Sequence, residues 1–452
     1  MVKKRSFVPA VTPVPHSKSV EVIAEEVTIH PLCLHGPTLL FSGEKGRFFA
    51  CASCRNNKDC TVHIEEEDWL KEGVRQRNEK YYKLIPKLDK AAAWNHFKEV
   101  KSRHPSDRAY CHTCQELFIV SQSKKHLKDH RIVLPLTDEQ LAHPTTFLLP
   151  LENDQNEAQY IFAKKSASTI LGILKNNKIS NILCIGTPSI HEAAQEHPDF
   201  DSLLLDYDTR HLQFYPGNKF LWYNMFNNYL FQNEDEKVLK KFLKSSKNKG
   251  LAIVIDPPFG GRVEPLAQTI KELSKMYSTI CESEDKILPV IWAFPYFAEP
   301  YITNMLPEIK MHDYQVDYQN HKKFQKGGRK FGSPVRFFTN LPFSTIDLSN
   351  DSSYKLCDKC KYWVSTSNVH CNKCRECTSK NGMTYKHCNV CKRCVKPTFK
   401  HCDACERCCL EKHVCGTVVE SQSCYNCNEK GHKKSECPQK DGSSAKKKRK
   451  SK

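Results

Sequence analysis

Residues Leu251-Ala252-Ile253-Val254-Ile255-Asp256-Pro257-Pro258-Phe259 decide the fold of the middle of this chain. Five consecutive apolar residues, rich in β-branched side chains, predict a strand buried on both faces, as in a parallel sheet. Pro257 and Pro258 then end the strand and stiffen the turn, because proline restricts the backbone and lacks an amide donor. The stretch therefore predicts a buried strand that delivers a carboxylate and an aromatic ring to a rigid turn.

Short apolar runs alternate with helical stretches on both sides of this strand. Between residues 144 and 345 the alternation predicts an α/β domain with a Rossmann-like, doubly wound sheet, large enough to bury a core without metal. The predicted strands are Asn181–Ile185, Ser202–Asp206, Leu251–Asp256, Pro289–Ala293, Tyr314–Tyr318 and Val335–Thr339.

The tetrapeptide Asp256-Pro257-Pro258-Phe259 at a strand end resembles the catalytic motif of the amino-methyltransferases. Carboxylate and carbonyl oxygens are acceptors that suit an exocyclic amine. The resemblance implies that Asp256 and the Pro257 carbonyl orient the target amine and that Phe259 stacks on the base. The target base must then be unpaired or flipped out of its stack. For the tetrapeptide taken alone, the alternative is an acidic β-turn without chemistry.

The same resemblance implies S-adenosyl-L-methionine as the cofactor, bound at the carboxyl ends of the first strands. Ile185, Gly186 and Thr187 would form the loop under its methionine end, although this loop retains a single glycine. Asp206, 20 residues after Gly186, would accept the ribose hydroxyls. Asn224 follows a third apolar run and would border the adenine.

The segment Gln159-Tyr160-Ile161-Phe162 resembles one that lines the cofactor pocket in adenine-N6 methyltransferases. Gln159, Tyr160 and Phe162 are therefore candidate cofactor contacts, with Phe162 in place of a threonine. The alternative for Tyr160 and Phe162 is a helix that packs on the sheet. Further on, Lys322 to Lys330 is a basic, glycine-containing loop that either contacts the substrate backbone or is merely solvated.

Charge and cysteine usage define the partners of the chain. Sixty-nine Lys and Arg against 51 Asp and Glu leave a net charge of +18, which favours a polyanionic partner. The 24 cysteines lie mostly in Cys-x2-Cys pairs near histidines, which predict zinc sites rather than disulfides. The chain has no run of 18 apolar residues and no signal-peptide core, so we expect an intracellular protein without a membrane partner.

Three compact zinc modules are predicted. Residues 28–70 resemble a GRF-type zinc finger, with Cys54 as a spare or alternative ligand and a main set of Cys33, His35, Cys51 and Cys60. Residues 108–132 fit a C2H2 finger with both histidines on one helical face and the ligands Cys111, Cys114, His126 and His130. Residues 422–439 form a CCHC knuckle, a module that binds single-stranded nucleic acid, with the ligands Cys424, Cys427, His432 and Cys437.

Residues 355–416 repeat the pattern Cys-x2-Cys, spacer, His-x6-Cys. Interpreted as interleaved sites, they predict four ligand sets, and Cys409 is left over. The sets are Cys357, Cys360, His370, Cys377; Cys371, Cys374, His387, Cys394; Cys388, Cys391, His401, Cys408; and Cys402, Cys405, His413, Cys415. Each repeat would bridge two metals, so we expect a stiff rod, and about seven zinc ions in the whole chain.

This zinc array resembles the cysteine-rich domain of DHHC palmitoyltransferases. The catalytic Asp-His-His-Cys is absent, since Glu411-Lys412-His413-Val414-Cys415 stands near its place, and membrane helices are absent too. We therefore interpret the array as structural or RNA-binding. Residues 440–452 are too polar and like-charged to fold, and this basic tail is typical of a nuclear or nucleolar address or an RNA-contacting arm.

The combination of modules resembles the CCHC zinc-finger rRNA adenosine-N6 methyltransferases over nearly the whole chain. This resemblance implies large-subunit ribosomal RNA as the substrate, with ribosome-assembly proteins as further partners. It implies a location in the nucleus and nucleolus, with the cytoplasm as the alternative.

Two rival hypotheses remain open. A non-catalytic, zinc-rich RNA-binding or ribosome-assembly protein would explain the single glycine of the Gly186 loop, but it leaves the intact motif from Asp256 to Phe259 unexplained. An amino-methyltransferase acting on DNA or on protein amides could use the same motif, because the pocket recognises an NH2 group. The zinc knuckle favours RNA.

Overall fold

The computed structural model describes residues 21–23, 30–43, 46–51, 53, 60–151, 159–283, 287–320, 333–413 and 415. The chain forms two compact units, Met1–Leu348 and Ser349–Lys452. Within the described residues, no helix is both long and apolar enough to cross a membrane. The predicted knuckle with Cys424, Cys427, His432 and Cys437, the basic tail, Cys54 and the basic loop from Lys322 to Lys330 lie outside the described residues.

An eight-stranded sheet forms the centre of the first unit. Its strands are β1 (Asn181–Ile185), β2 (Asp201–Asp206), β3 (Phe220–Asn224), β4 (Tyr229–Leu230), β5 (Leu251–Ile255), β6 (Val290–Pro295), β7 (Lys310–Gln315) and β8 (Val335–Thr339). Their order is β4-β3-β2-β1-β5-β6-β8-β7. The strands β1, β2, β3, β5 and β6 are parallel, and β8 is antiparallel to both β6 and β7.

This strand order confirms the predicted doubly wound sheet. The chain leaves β1 toward β2 and β3 on one side and later returns to β5 and β6 on the other side. The two halves therefore diverge between β1 and β5. Such a switch point, at the carboxyl ends of parallel strands, is where open α/β sheets bind ligands.

Helices cover both faces of the sheet. They are α1 (Lys164–Asn176), α2 (Pro188–Gln195), α3 (Asp235–Ser245), α4 (Val263–Cys281) and α5 (Glu299–Met305), with 3-10 turns at Thr209–Gln213, Tyr296–Ala298 and Phe343–Thr345. Helix α4 buries Leu266, Ile270 and Leu273 at helical spacing against α3, α5 and one face of the strands. Strands β1, β3 and β5 are buried at every position, as covering of both faces requires.

Four predicted strands have different limits in the structure. Ser202–Asp206 begins one residue earlier, at Asp201, and Leu251–Asp256 ends one residue earlier, at Ile255. Pro289–Ala293 is shifted to Val290–Pro295, and Tyr314–Tyr318 is replaced by Lys310–Gln315. The pairing of β7 with β8 shifts register between His312 and Gln315, so the strand ends there. Tyr318 instead forms an isolated antiparallel bridge with Phe162.

Two small modules precede the sheet in the first unit. The first has its own core of Leu40, Phe49 and Trp69. Its strands are Glu21–Ile23, Leu32–Cys33, Gly36–Pro37, Leu39–Gly43, Gly46–Ala50 and His63–Glu65, followed by helices Glu66–Trp69, Glu72–Asn78 and Lys80–Leu84. The second is a three-stranded sheet of Arg108–Cys111, Glu116–Ile119 and Ile132–Val133, flanked by helices Lys90–Ser102 and Asp138–Ala142 and 3-10 turns Pro105–Asp107 and Pro144–Thr146.

The prediction that His126 and His130 share a helical face is wrong. His126 lies in a 3-10 turn, Lys124–Leu127, and His130 follows outside any helix. Asp129 between them has a φ of 62°, a left-handed conformation that cannot continue a right-handed helix.

In the second unit, the residues that the structure describes form a succession of four antiparallel hairpins, each carrying one of the repeated cysteine pairs. The paired strands are Tyr354–Cys357 with Tyr362–Ser365, His370–Cys371 with Glu376–Cys377, Lys386–Cys388 with Arg393–Val395, and Phe399–Cys402 with Arg407–Leu410, and a 3-10 turn spans Asp403–Cys405. Local turns, rather than a broad apolar core, build this unit.

Candidate active site and metal centres

A cleft enclosing about 1030 Å³, part of it open solvent, lies at the switch point of the sheet. Its walls come from the carboxyl ends of β1, β2, β3 and β5 and from the segment before α1. The predicted site residues that line it are Gln159, Tyr160, Gly186, Asp206, Asn224, Asp256, Pro257 and Pro258.

Gly186 allows the two halves of the sheet to meet. Its φ is +62°, and a Cβ there would lie 2.6 Å from Met225 Cε and 3.3 Å from the Asp256 carbonyl oxygen. Only glycine fits so close an approach at a left-handed φ. One glycine therefore suffices for a tight turn directly beside the end of β5.

Ile185 and Thr187, predicted as cofactor contacts, support this turn from behind. Ile185 is fully buried in the core, and Thr187 is almost fully buried. The Thr187 hydroxyl donates to the Val254 carbonyl at 3.3 Å, which ties the turn after β1 to β5. Neither residue is among those that line the cleft.

Asp256 presents its carboxylate to the cleft beside Gly186. Burial raises the pKa of Asp256 well above its usual range, and a hydrogen bond from the Tyr318 hydroxyl to Oδ1, at 2.9 Å, lowers it. Pro257 and Pro258 also line the cleft, but the Pro258 carbonyl accepts from the Gly261 amide at 2.7 Å. Asp256 and Pro257 are thus the acceptors that this turn leaves for a bound amine.

Aromatic rings surround the Asp256 carboxylate. Tyr160 stacks on Phe259 with centroids 5.1 Å apart, and Tyr318 lies 5.5 Å from Tyr160. Phe162 is buried and stacks on Tyr318 at 5.2 Å, so it supports the site without lining the cleft. The alternative of a packed helix is wrong for this segment, because α1 begins only at Lys164.

The cofactor side of the cleft carries a network that the sequence interpretation missed. Gln159 donates to Asp208 at 2.8 Å and accepts from Arg210 at 3.1 Å. Burial opposes the charge of Asp208, but its hydrogen bonds with Arg210 hold its pKa at about 2. Asp206 ends β2 in the cleft, and burial raises its pKa to about 6. The signal was the pair of acids, Asp206 and Asp208, at one strand end.

These features fit S-adenosylmethionine. Asp206 ends β2 beside the cleft, and burial disfavours the charge of its carboxylate. Hydrogen bonds donated by ribose hydroxyls would stabilise that charge. Gly186 brings the end of β1 to the wall of the cleft, where no side chain of its own stands between the backbone and a ligand. Gln159, Gly186 and Asp206 are the residues that would hold the cofactor.

Asn224 connects the cleft to the first zinc module. Its amide nitrogen donates to the His35 carbonyl and to the Ser53 hydroxyl, both at 2.7 Å, and its oxygen accepts from the Phe226 amide at 3.0 Å. Ser53 itself lines the cleft. Asn224 therefore borders the cleft as predicted, but its polar atoms hold the zinc module in place.

The structure brings the predicted ligand sets of the described residues together. In each of the first five sets, the ligand atoms lie within 4.8 Å of one another; these are Cys33, His35, Cys51, Cys60; Cys111, Cys114, His126, His130; Cys357, Cys360, His370, Cys377; Cys371, Cys374, His387, Cys394; and Cys388, Cys391, His401, Cys408. In the sixth, Cys402 and Cys415 sulfurs are 3.6 Å apart and His413 Nε2 lies 3.5 Å from Cys405. Three-Cys-one-His and two-Cys-two-His sets at these separations fit tetrahedral zinc.

The array is interleaved. His387 belongs to one ligand set and the next residue, Cys388, to the following one, and both lie on the strand Lys386–Cys388. His370 and Cys371 repeat this arrangement on the preceding hairpin. Neighbouring metal sites therefore share a strand.

Comparison with known proteins identifies relatives along most of the chain. Residues 153–341 match the family described as "Probable N6-adenine methyltransferase", and residues 422–439 match the zinc knuckle family. The chain is 44% identical over 425 residues to the rRNA N(6)-adenosine-methyltransferase ZCCHC4 of Mus musculus, covering 90% of this chain and 82% of the relative. The relatives of the same name from Xenopus tropicalis and Homo sapiens are 44% and 39% identical, covering 92% and 90% of this chain and 88% and 82% of their own lengths.

Proposed function

The chain belongs to the rRNA N(6)-adenosine-methyltransferase family, and we propose that it methylates the N6 amine of an adenosine in large-subunit ribosomal RNA, with S-adenosylmethionine as donor. One observation carries this proposal. Asp256 and the Gly186 turn lie side by side at the switch point, where the Asp256 carbonyl approaches Gly186, and both line a cleft that Asp206 also lines. A methyl donor and an amine acceptor can therefore be held in one cavity.

S-adenosylmethionine supplies an already activated methyl group. The chain therefore has to align this methyl group with the amine and does not have to activate it. Adenine N6 is a weak nucleophile because its lone pair is delocalised into the ring. Hydrogen bonds from N6–H to Asp256 and to the Pro257 carbonyl favour a pyramidal nitrogen with an exposed lone pair. The new N–C bond forms as the methyl–sulfur bond breaks, and the cationic N6 amine then releases its proton to water. Asp256 therefore acts as an orienting acceptor rather than a general base.

The aromatic residues explain how a base is held. Tyr160 lines the cleft near Asp256, and Phe259, which does not line the cleft, stacks on Tyr160. A base taken out of its stack recovers about 1 to 3 kcal/mol by stacking on such a ring. The site therefore favours an unpaired or flipped adenosine over one in a stable duplex.

The metal sites and partners follow from the same family. We infer about seven zinc ions, since six ligand sets lie together in the described residues and the knuckle adds another. RNA is the partner that the net charge of +18 and the knuckle favour. Ribosome-assembly proteins are further partners, and the nucleus and nucleolus, with the cytoplasm as alternative, are the expected locations for an enzyme of ribosomal RNA.

The test combines cofactor binding with product analysis. Purified full-length protein is titrated with S-adenosylmethionine in a calorimeter, then incubated with large-subunit rRNA, and nucleosides are quantified by mass spectrometry. We expect N6-methyladenosine at one or a few positions. Cofactor binding without any methylated nucleoside, or methylation of DNA in preference to RNA, would contradict the proposal, and absence of cofactor binding would indicate a non-catalytic assembly protein.

A further inference from the structure

The residue after each repeated Cys-x2-Cys pair occupies the same place at the tip of its hairpin. These residues are Lys361, Arg375, Lys392 and Glu406, with φ values of 61°, 58°, 53° and 51°. In the first two, the amide donates to the carbonyl of the first cysteine of the pair at 2.7 Å. One local geometry therefore recurs four times along the array.

Three of the four tips carry an exposed cation. Lys361, Arg375 and Lys392 are exposed, and their side chains have no hydrogen-bond or ion-pair partner within the part of the chain that the structure describes. Lys400 and Lys355 of the array are engaged, since Lys400 pairs with Glu411 at 2.5 Å and Lys355 donates to the Thr366 carbonyl. We call Lys361, Arg375 and Lys392 the tip row.

Side-chain bonds fix the first three hairpins relative to one another. Lys359 donates to Asn372 of the next hairpin at 2.6 Å, and Lys373 donates to Asn389 of the following one at 2.5 Å. The shared strands of the interleaved metal sites add a second connection. The spacing between successive tips is therefore set by the array and does not depend on flexible linkers.

We propose that the tip row binds the phosphodiester backbone of the RNA substrate, one phosphate at each of three hairpins, and that the contact ends at the fourth hairpin, where Glu406 repels it. The inference rests on the proposed function in taking RNA as the substrate. Each neutralised phosphate releases counterions, and the hairpins that carry the cations need no further ordering on binding because the array already fixes them. Backbone contacts of this kind position an RNA without reading its sequence.

The first experiment removes the row and measures salt dependence. The full-length variant Lys361→Gln, Arg375→Gln, Lys392→Gln binds a single-stranded fragment of large-subunit rRNA at a series of salt concentrations. A matched control, Lys355→Gln, Lys386→Gln, Lys400→Gln, removes the same three charges from the other ends of hairpins in the same array. Each lost phosphate contact should reduce the slope of log affinity against log salt by about 0.7. We therefore expect the slope to be smaller by about 2 in the row variant, which loses three contacts, and to change far less in the control.

A second variant adds a contact rather than removing one. Glu406→Lys should extend the row to the fourth hairpin and steepen the same slope by about 0.7. Glu411→Lys, exposed just after the strand Arg407–Leu410, makes the same charge change off the row. It also releases Lys400 from its ion pair, so it is a demanding control that should still steepen the slope less than Glu406→Lys. The charge-retaining variant Lys361→Arg, Arg375→Lys, Lys392→Arg should behave like the unaltered protein.

None of these residues is a metal ligand, so zinc content and cofactor affinity should be unchanged in every variant. Equal salt-dependence slopes in the row variant and its control would overturn the proposal that the tip row binds phosphate. A slope that Glu406→Lys does not steepen would overturn it too. Failure of the proposed function shows itself differently. The unaltered protein would then yield no N6-methyladenosine on rRNA, whatever the slopes of the variants.

Discussion

The hydroxyl of Tyr318 donates a hydrogen bond of 2.9 Å to Oδ1 of Asp256, although 62 residues separate the two in the chain. Burial disfavours the charged form of Asp256 and raises its pKa, whereas this bond stabilises the carboxylate and lowers it. The Asp256 carboxylate is the form that accepts both a Tyr318 O–H and an amine N–H. Tyr318 therefore positions the acceptor on which the proposed alignment of the amine depends.

Tyr318→Phe should move the acid limb of the methylation pH profile to higher pH. Removing the bond raises the pKa of Asp256 further, and activity, which needs the carboxylate, is lost as pH falls through that value. The measurement is kcat against pH with saturating cofactor. Tyr314→Phe is the matched control, since its buried hydroxyl contacts Ser166 and Thr169 rather than Asp256. An unchanged acid limb in Tyr318→Phe would rule out the positioning role.

Asp256→Ala should lower kcat by about 100-fold or more, the scale on which a single preorganised polar contact acts in a transition state. The affinities for RNA and cofactor should change little, because Asp256 orients one amine and contacts no phosphate. Quantification of N6-methyladenosine with a parallel RNA-binding titration measures both. Asp199→Ala, an exposed carboxylate paired with Lys175, serves as the control. Retention of full turnover by Asp256→Ala would show that the acceptor lies elsewhere.

Asn224→Ala should loosen the first zinc module and weaken cofactor binding together. The change removes the Asn224 donor from the Ser53 hydroxyl and from the His35 carbonyl, which keeps the Asn227 amide at 3.1 Å, so the expected cost is about 0.5 to 1.5 kcal/mol. Denaturant unfolding and limited proteolysis of residues 28–70 report the first effect, and calorimetry reports the second. Asn228→Ala, whose amide instead contacts Glu272, is the comparison. If the module were equally protected in both variants, Asn224 would not be what anchors it.

Cys388→Ser with Cys391→Ser should lower the zinc content by more than one ion per chain. Loss of that metal frees the strand Lys386–Cys388, which also carries His387 of the preceding set. Metal analysis of the full-length protein gives the stoichiometry. Cys111→Ser with Cys114→Ser, in an isolated set, should cost a single ion. The stiff-rod interpretation fails if the array variant also loses only one zinc and its neighbouring sites stay ordered.

Local patterns allowed the sequence by itself to determine a large part of this protein. The apolar run Leu251–Ile255 ending in Asp256 predicted the central strand and the acid at its end, because strand burial and turn chemistry are read within a few residues. The ligand sets could also be predicted, since the short spacing of cysteines and histidines along successive segments constrains which atoms can meet.

Only the tertiary structure decided which distant residues complete the site. Asn224 meets His35 from 189 residues away, and Tyr318 meets Asp256 only because β7 ends at Gln315 and the chain then turns back to Phe162. Phe162 and Thr187 have side chains suited to ligand contact, yet packing places them behind the cleft. Hydrophobic periodicity shows which face of an element is buried, but the partner it meets depends on how strands far apart in the chain pack together.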